Sequence, residues 1–149
     1  MTEPAYYNRS LDQGLKQFLS NANDMVSELK NDGYRISDSC RFSVFIKKLS
    51  NFIENGFEIG DRQFDIALLA EGSRDFAELR AIVKSKTVRQ KNRKEIQKIF
   101  GGSGKPSDDT LTQSRDFQFE LYLAAIFDLS GFYVSIIEPD FLFKYEEVT

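Results

Sequence analysis

The sequence predicts an α+β fold, in which a mainly helical first two thirds precedes a long helix and a β-hairpin. Apolar residues recur at helical spacing through most of residues 1–100. Residues 101–110 are rich in glycine and interrupted by proline, which opposes helix and strand alike. Beyond them, one long apolar segment precedes two short stretches rich in β-branched and aromatic residues, as is typical of strands. The chain is therefore expected to divide into a helical region (1–100), a flexible linker (101–110) and a helix-plus-hairpin unit (111–149).

Four or five helices are expected in the helical region. Ser10 is placed to cap the first, and Gly33 is placed to end it. Ser37 or Asp38 is placed to cap the second, which carries an apolar stripe and ends before Gly56.

The third helix is expected to begin at a cap provided by Asp61. Gly72 and Ser73 are expected to interrupt it, after which the helical pattern resumes. The basic segment that follows is predicted to continue as helix through Phe100.

The glycine-rich linker is interpreted as a boundary and not as a phosphate-binding loop. Ile99 stands where that motif needs a glycine, and Pro106 stands where it needs Ser or Thr to bind magnesium. A basic helix, rather than an apolar strand, leads into it.

A long helix is predicted after the linker, capped by Asp109 or Thr110 and running to Leu129. It is apolar on nearly all sides, which is typical of a helix buried on more than one face. The segments 132–138 and 141–145 then read as the two strands of a hairpin.

Composition limits the available chemistry. The 149 residues include no histidine, which excludes Ser-His-Asp and Cys-His nucleophiles as well as histidine-ligated metals. Cys40 is the single cysteine, so disulfides within the chain and cysteine-rich zinc sites are excluded too. Any metal would have to be held by carboxylates.

Charge is distributed unevenly along the chain. The segment 84–98 has a net charge of +6, and residues 108–149 have a net charge of −7. The basic segment is either a surface that contacts DNA or RNA phosphates, or a solvated helix that faces the acidic tail. The candidate nucleic-acid-binding residues are Lys84, Lys86, Arg89, Lys91, Arg93, Lys94 and Lys98.

Three carboxylates are the candidate catalytic and metal-binding groups. Glu120 lies in a mostly apolar sector of the long helix, where a carboxylate needs a cation or donors to offset its desolvation. Glu138 and Asp140 are two residues apart and project to one face of an extended chain. Together they would make an oxygen-rich site suited to Mg²⁺ or Mn²⁺. The alternatives are pairing of Glu120 with Arg115 or another base, and an ordinary polar turn at Glu-Pro-Asp.

Residues 112–147 resemble the beginning of a PD-(D/E)XK nuclease core. The resemblance is carried by the glutamate-bearing segment 115–125, by Gly131 and the strand after it, and by the Pro-Asp pair at 139–140. It implies metal-dependent cleavage of a phosphodiester, with Asp140 binding the metal and Glu120 assisting through the metal or its water. Glu138 would be an auxiliary acid.

The second half of that signature, an acid, a spacer and a lysine on the next strand, does not occur after Asp140. Lys144 is four residues further, which on a strand is about 13 Å away. The chain is then the amino-terminal part of a longer nuclease-like protein, a short relative without activity, or a chance resemblance.

Two functions are therefore expected. The first is a nucleic-acid-associated, nuclease-like module that is catalytically incomplete as the chain stands. The alternative is a non-enzymatic helical interaction module that binds a protein partner or a second copy through its hairpin edge. The sequence shows neither a signal peptide nor a membrane span, so no membrane association and a cytoplasmic location are expected.

Overall fold

A computed structural model describes residues 5–55, 62–101, 113–136 and 141–143. Helices dominate these ranges, and two short strands follow the last helix. The elements are α1 (Ala5–Asn31), α2 (Arg41–Asn55), α3 (Arg62–Lys84), α4 (Lys86–Lys91), α5 (Arg93–Lys98), α6 (Gln113–Leu129), β1 (Val134–Ile136) and β2 (Phe141–Phe143).

The prediction of an α+β fold with a β-hairpin is wrong. About four fifths of the described residues are helical, and the described part of the chain is an all-α fold. The segments β1 and β2 contact each other antiparallel over three residues each, with Val134 opposite Phe143. Two strands of this length do not form a sheet layer of the fold, because a β-sheet needs about three strands or more to be stable on its own. Residues 137–140 and 144–145, which were also predicted to belong to the hairpin, lie outside the described residues.

The first helix is longer than predicted. It begins at Ala5, so Ser10 lies within α1 and is not its N-cap. Residues 5–10 contain no Gly or Pro, so nothing in them opposes extension of the helix. The helix ends as predicted, since Gly33 adopts a φ of +94° and the Tyr34 amide donates to the Leu29 carbonyl at 3.1 Å.

The third helix runs without the predicted break at Gly72 and Ser73. Gly72 is buried against the Phe45 ring of α2, and a Cβ at this position would overlap that ring. The missing side chain at Gly72 therefore permits a close approach of α3 to α2, and this glycine does not mark a turn. The Asp61 cap and Gly56 lie outside the described residues.

The basic segment does not form one continuous helix. Ser85 separates α3 from α4 and accepts a hydrogen bond from the Val88 amide at 3.3 Å, as an N-cap does. Asn92 then separates α4 from α5, and its amide donates to the Val88 carbonyl. Two polar residues that satisfy backbone groups locally thus divide a segment whose apolar spacing alone favoured one helix.

The hydrophobic core includes residues of α1 to α6 and Val134 of β1. Four phenylalanine rings are linked by edge-on or tilted contacts, with centroids 5.3 to 6.1 Å apart. They are Phe18, Phe42, Phe45 and Phe76. The most extensive helix–helix contact is between α3 and α6. Helix α6 therefore rests directly on the helices that precede the glycine-rich segment.

Candidate functional site

A cluster of charged side chains is buried where α2, α3 and α6 meet. Arg41 donates to the Ile99 carbonyl at 3.1 Å and also to the Gln118 side-chain oxygen. The Gln118 amide nitrogen donates to Asp75 at 3.1 Å and to Glu78 at 2.6 Å. These partners lie far apart in the sequence, and no residue pattern in it pointed to the cluster.

Arg115 completes this buried cluster. One of its nitrogens lies 3.1 and 3.2 Å from the two Asp75 oxygens. Two guanidinium groups, from Arg41 and Arg115, are thus set against two carboxylates, from Asp75 and Glu78. A buried, mutually hydrogen-bonded set of this kind is structural in character, because its charges are already compensated.

Two of the predicted nucleic-acid-binding residues are engaged with the end of α1. Arg89 donates to Glu28 at 3.0 Å and to Asp32 at 2.9 Å. The hydrogen bond to Asp32 is the main cause that raises the pKa of Arg89 above its ordinary value. Arg93 donates to the Asp32 carbonyl, and its guanidinium lies 4.6 Å from the Tyr34 ring centre. Through these hydrogen bonds, Arg89 links α4 and Arg93 links α5 to the end of α1.

Two more of the basic residues lie over aromatic rings. The Lys91 nitrogen is 5.4 Å from the centre of the Tyr133 ring, and the Lys98 nitrogen is 4.5 Å from the centre of the Phe117 ring. Both lysines remain solvent-exposed. They connect the basic segment with α6 and with the residues that follow it.

The other three predicted residues, Lys84, Lys86 and Lys94, are exposed. Within the described part of the chain, their side chains take part in no hydrogen bond, ion pair or ring contact. They differ in this from the other four predicted residues, whose side chains contact α1 or aromatic rings.

The predicted carboxylate site is described only at Glu120. This residue lies on α6 and is half-buried. Glu138 and Asp140 lie outside the described residues, so the predicted approach of Asp140 to Glu120 stays a prediction. Within the described ranges, no three carboxylate or cysteine side chains are grouped so that they could hold a metal ion.

The solvent-facing side of α6 is an apolar surface within the described part of the chain. Exposed apolar side chains are concentrated there, and Phe119 and Leu129 are 49% and 51% exposed. The side of the same helix that carries Gln118, Leu121 and Ala125 is buried. Leu129 lies one turn beyond Ala125 and is exposed at the last position of the helix. The sequence predicted that this helix is buried on more than one face, because it is apolar on nearly all sides. The same apolar composition was the feature of the sequence that could have indicated an exposed apolar surface. We call it the outer face of α6; it consists of Phe119, Ile126, Phe127, Leu129 and the adjoining Tyr133.

A separate cavity of about 210 Å³ lies between α1 and α3. Its lining offers apolar contact and two polar side chains, those of Asn21 and Arg80, but no nucleophile. The other lining residues are Phe18, Ala22, Met25, Phe76 and Ala77.

Cys40 is not an activated nucleophile. It is buried at the start of α2, and this burial raises the pKa of its thiol. The thiolate, which is the reactive form, is therefore disfavoured.

Among the described helices, none is long and apolar enough to span a membrane. We compared the chain with protein-family models, with curated proteins and with solved structures, and none of the three gave a match.

Proposed function

We propose that this chain is a protein-interaction module that docks through the outer face of α6. The single observation that carries the proposal is the exposure of five large apolar side chains on and beside one helix. Together they expose on the order of 500 Å², a size of apolar patch that on monomers is often functional. The hairpin edge is not part of the proposal.

The burial pattern of α6 supports this function. A helix that only completes a core needs one apolar side, and Leu121, Ala124 and Ala125 already provide it. Leaving further phenylalanine, isoleucine and leucine side chains in water gives no stability to the isolated chain. Covering them with another polypeptide would release about 25 cal/mol for each Å² removed from water.

A photo-crosslinking experiment tests the proposal. A benzophenone amino acid replaces Phe119 in the full chain, which is expressed in cells and irradiated. We expect a crosslinked adduct that is lost when Ile126→Asp is added. The control carries the same probe at Ala70, an exposed position on α3. Equal labelling at both positions, or no adduct at Phe119, contradicts the proposed function.

A nucleic-acid-associated, nuclease-like module is the second candidate. It is favoured by the exposure of Lys84, Lys86 and Lys94 and by the presence of Glu120 on the helix that would carry the family's glutamate. In this candidate the lysines contact phosphates, while Glu120 and Asp140 are what remains of a site for Mg²⁺ or Mn²⁺. We expect no efficient cleavage from the chain as it stands.

Fluorescence anisotropy with labelled DNA and RNA separates the two candidates. The second candidate requires binding that weakens steeply as salt is raised, and it requires a smaller salt slope when the three lysines are changed to glutamine. The interaction module requires neither result. Robust cleavage with Mg²⁺ or Mn²⁺ that Asp140→Ala abolishes would show that the chain is a working nuclease after all.

The proposal also includes a cytoplasmic location. One cysteine, with no second cysteine in the chain to pair with, fits a reducing compartment.

A further inference from the structure

We infer that the cavity between α1 and α3 binds a small aromatic carboxylate. The apolar wall of the cavity holds the aromatic ring, and Asn21 and Arg80 bind the carboxylate where the cavity opens to solvent. This site is independent of the proposed function, because no residue that lines the cavity belongs to α6 or to its outer face.

The wall of the cavity is formed by one side of each helix. On α1, Phe18, Ala22 and Met25 are four and three residues apart, so their side chains lie on the same side of the helix. On α3, Phe76 is buried, and its ring contacts that of Phe18 edge-on with centroids 6.1 Å apart. Ala22 and Ala77, one on each helix, are too small to fill the space between these larger groups. The wall is therefore apolar and partly aromatic.

The volume of the cavity limits the size of its ligand. An apolar cavity of about 150 Å³ is large enough to take up benzene. The cavity between α1 and α3 measures about 210 Å³, which accommodates a benzene-sized ring with a few further atoms. A nucleotide or a lipid with long acyl chains does not fit within this volume.

The side chains of the wall favour an aromatic ring over an aliphatic chain. The rings of Phe18 and Phe76 offer edge-to-face contacts, which are worth more than the burial of the same area alone. The thioether of Met25 adds a favourable contact between sulfur and a ring, and its unbranched side chain adapts to the shape of the ligand.

The polar groups of the lining are suited to an anion. Within the described ranges the Arg80 side chain takes part in no hydrogen bond, ion pair or ring contact, and no carboxylate lines the cavity. The Gln17 amide nitrogen donates to the Asn21 side-chain oxygen at 3.0 Å, which leaves the Asn21 amide nitrogen to donate to a ligand. Both lining groups are therefore donors. A guanidinium group matches a carboxylate best, because it can donate two parallel hydrogen bonds to the two oxygens.

Nuclear magnetic resonance of the full chain, labelled with ¹³C at its methionine methyl groups, tests the inference with phenylacetate as the probe. The chain contains two methionines, and Met25→Leu identifies the signal of Met25. We expect phenylacetate to shift this signal until the site is saturated, because an aromatic ring changes the resonance of a methyl group beside it. For a ligand with about ten non-hydrogen atoms, we expect a dissociation constant on the order of 1 mM.

Charge recognition is tested by removing the cation and by removing the anion. Arg80→Gln should weaken the binding of phenylacetate about fivefold or more, because hydrogen bonds between charged groups are the strong ones. Arg35→Gln is the matched control, since it removes another exposed arginine that does not line the cavity. It should leave binding unchanged. Phenylacetamide, which has nearly the same shape but no charge, should bind more weakly than phenylacetate and should be insensitive to Arg80→Gln.

The position of the site is tested by filling the cavity. Ala77→Phe places a ring in the lining and should abolish the binding of both probes. Far-ultraviolet circular dichroism of each variant distinguishes lost binding from lost folding. If Ala77→Phe does not fold, the comparison of Arg80→Gln with Arg35→Gln and of the two probes decides the question.

Three results would overturn the inference. The first is the absence of a saturable shift of the Met25 signal at about 10 mM phenylacetate, ten times the expected dissociation constant. The second is equal binding of phenylacetate and phenylacetamide, and the third is equal weakening by Arg80→Gln and Arg35→Gln. Either of the last two would show that the cavity does not recognise a carboxylate.

Discussion

Arg41 is the most deeply buried charged residue of the buried polar cluster. Its side chain is 1% exposed and donates hydrogen bonds to the Ile99 carbonyl at the end of α5 and to Gln118 of α6. One of its guanidinium nitrogens also lies 3.9 Å from an Asp75 carboxylate oxygen of α3. A buried charge that loses its compensating partner is expensive, because its desolvation is no longer offset. The side chain therefore holds three elements together through one group.

Arg41→Ala should lower the free energy of unfolding by about 3–5 kcal/mol, which would be measured by urea unfolding followed by circular dichroism. Arg74→Ala is the matched control. Arg74 makes a 3.0 Å ion pair with Glu78 but is 64% exposed, so its loss should cost less than about 1 kcal/mol. Equal costs for the two variants would show that the buried cluster adds no stability.

Tyr34 carries a hydroxyl group that is buried without a hydrogen-bond partner in the described structure. Burial is the main cause that raises the pKa of Tyr34 above 10, and the nearby Arg93 guanidinium opposes this effect. As pH rises past 10, the Tyr34 hydroxyl loses its proton in the unfolded chain before it does so in the folded chain. The free energy of unfolding is therefore unaffected by this group below pH 10 and decreases as pH rises toward the higher folded-state pKa.

Tyr34→Phe should therefore be neutral or stabilising by up to about 1 kcal/mol at pH 8, because an unsatisfied group is removed. Its stability should also fall less than that of the native chain between pH 8 and pH 11. Urea unfolding at the two pH values measures both effects. A parallel loss of stability in the two proteins would show that Tyr34 does not cause the alkaline decrease.

At the scale of elements, α3 approaches α2 closely at Gly72. The helix α3 lies so near Phe45 of α2 that a side chain at this position has no room. In α1, by contrast, Gly14 has no atom within 4 Å of the place where a Cβ would lie. The two helical glycines therefore have different roles.

The same substitution should then have opposite effects at the two positions. Gly72→Ala should destabilise by about 1–3 kcal/mol through overpacking. Gly14→Ala should stabilise by about 0.5–1 kcal/mol, because alanine favours helix more than glycine does. Thermal unfolding of both variants checks this. A stabilising Gly72→Ala would mean that α2 and α3 separate at little cost.

The sequence predicted elements better than it predicted their ends. Apolar periodicity located α1 and α2, since each buries a stripe that repeats with the helical turn. Helix α6 was located instead by a long segment that is apolar on nearly all sides and stops before Gly131. The sequence placed the start of α1 too late and predicted a break at Gly72 that α3 does not have. Both errors arise because helix caps and close approaches between helices depend on residues that are nearby in space. The sequence also joined α4 to α5, which Asn92 separates through local hydrogen bonds.

At the scale of the whole molecule, α6 belongs to the same core as the earlier helices. Leu121 and Ala124 are buried in the cluster that includes Leu29 of α1 and Ile82 of α3. The core is therefore shared between residues before and after the glycine-rich segment. Shared burial of this kind favours one cooperative unfolding transition.

Leu121→Ala should shift that single transition and lower stability by about 2–5 kcal/mol. Leu129→Ala, on the outer face of the same helix, should change the stability of the monomer by less than about 1 kcal/mol. Circular dichroism, followed through urea unfolding at low protein concentration, reports on all helices together. Two transitions, of which Leu121→Ala moves one, would instead indicate that 111–149 folds as an independent unit.

The candidate sites show the same limit of sequence reasoning. The seven basic residues were predicted to bind nucleic acid, which stays a prediction. In the structure Arg89 and Arg93 bind residues at the end of α1, and Lys91 and Lys98 lie over aromatic rings. Whether a cation meets phosphate or a neighbouring helix depends on distances that sequence separation does not contain. For Glu138 and Asp140 the metal site stays a prediction.

By itself, the sequence determined which chemistry is open to this protein and where most helices run. The absence of histidine and the spacing of apolar residues are local properties that need no partner in space. Tertiary structure alone decided that Arg41 is buried beside Asp75, and that one apolar side of α6 faces the core while the other faces solvent. The reason is that burial and charge compensation depend on long-range packing, which brings together residues far apart along the chain.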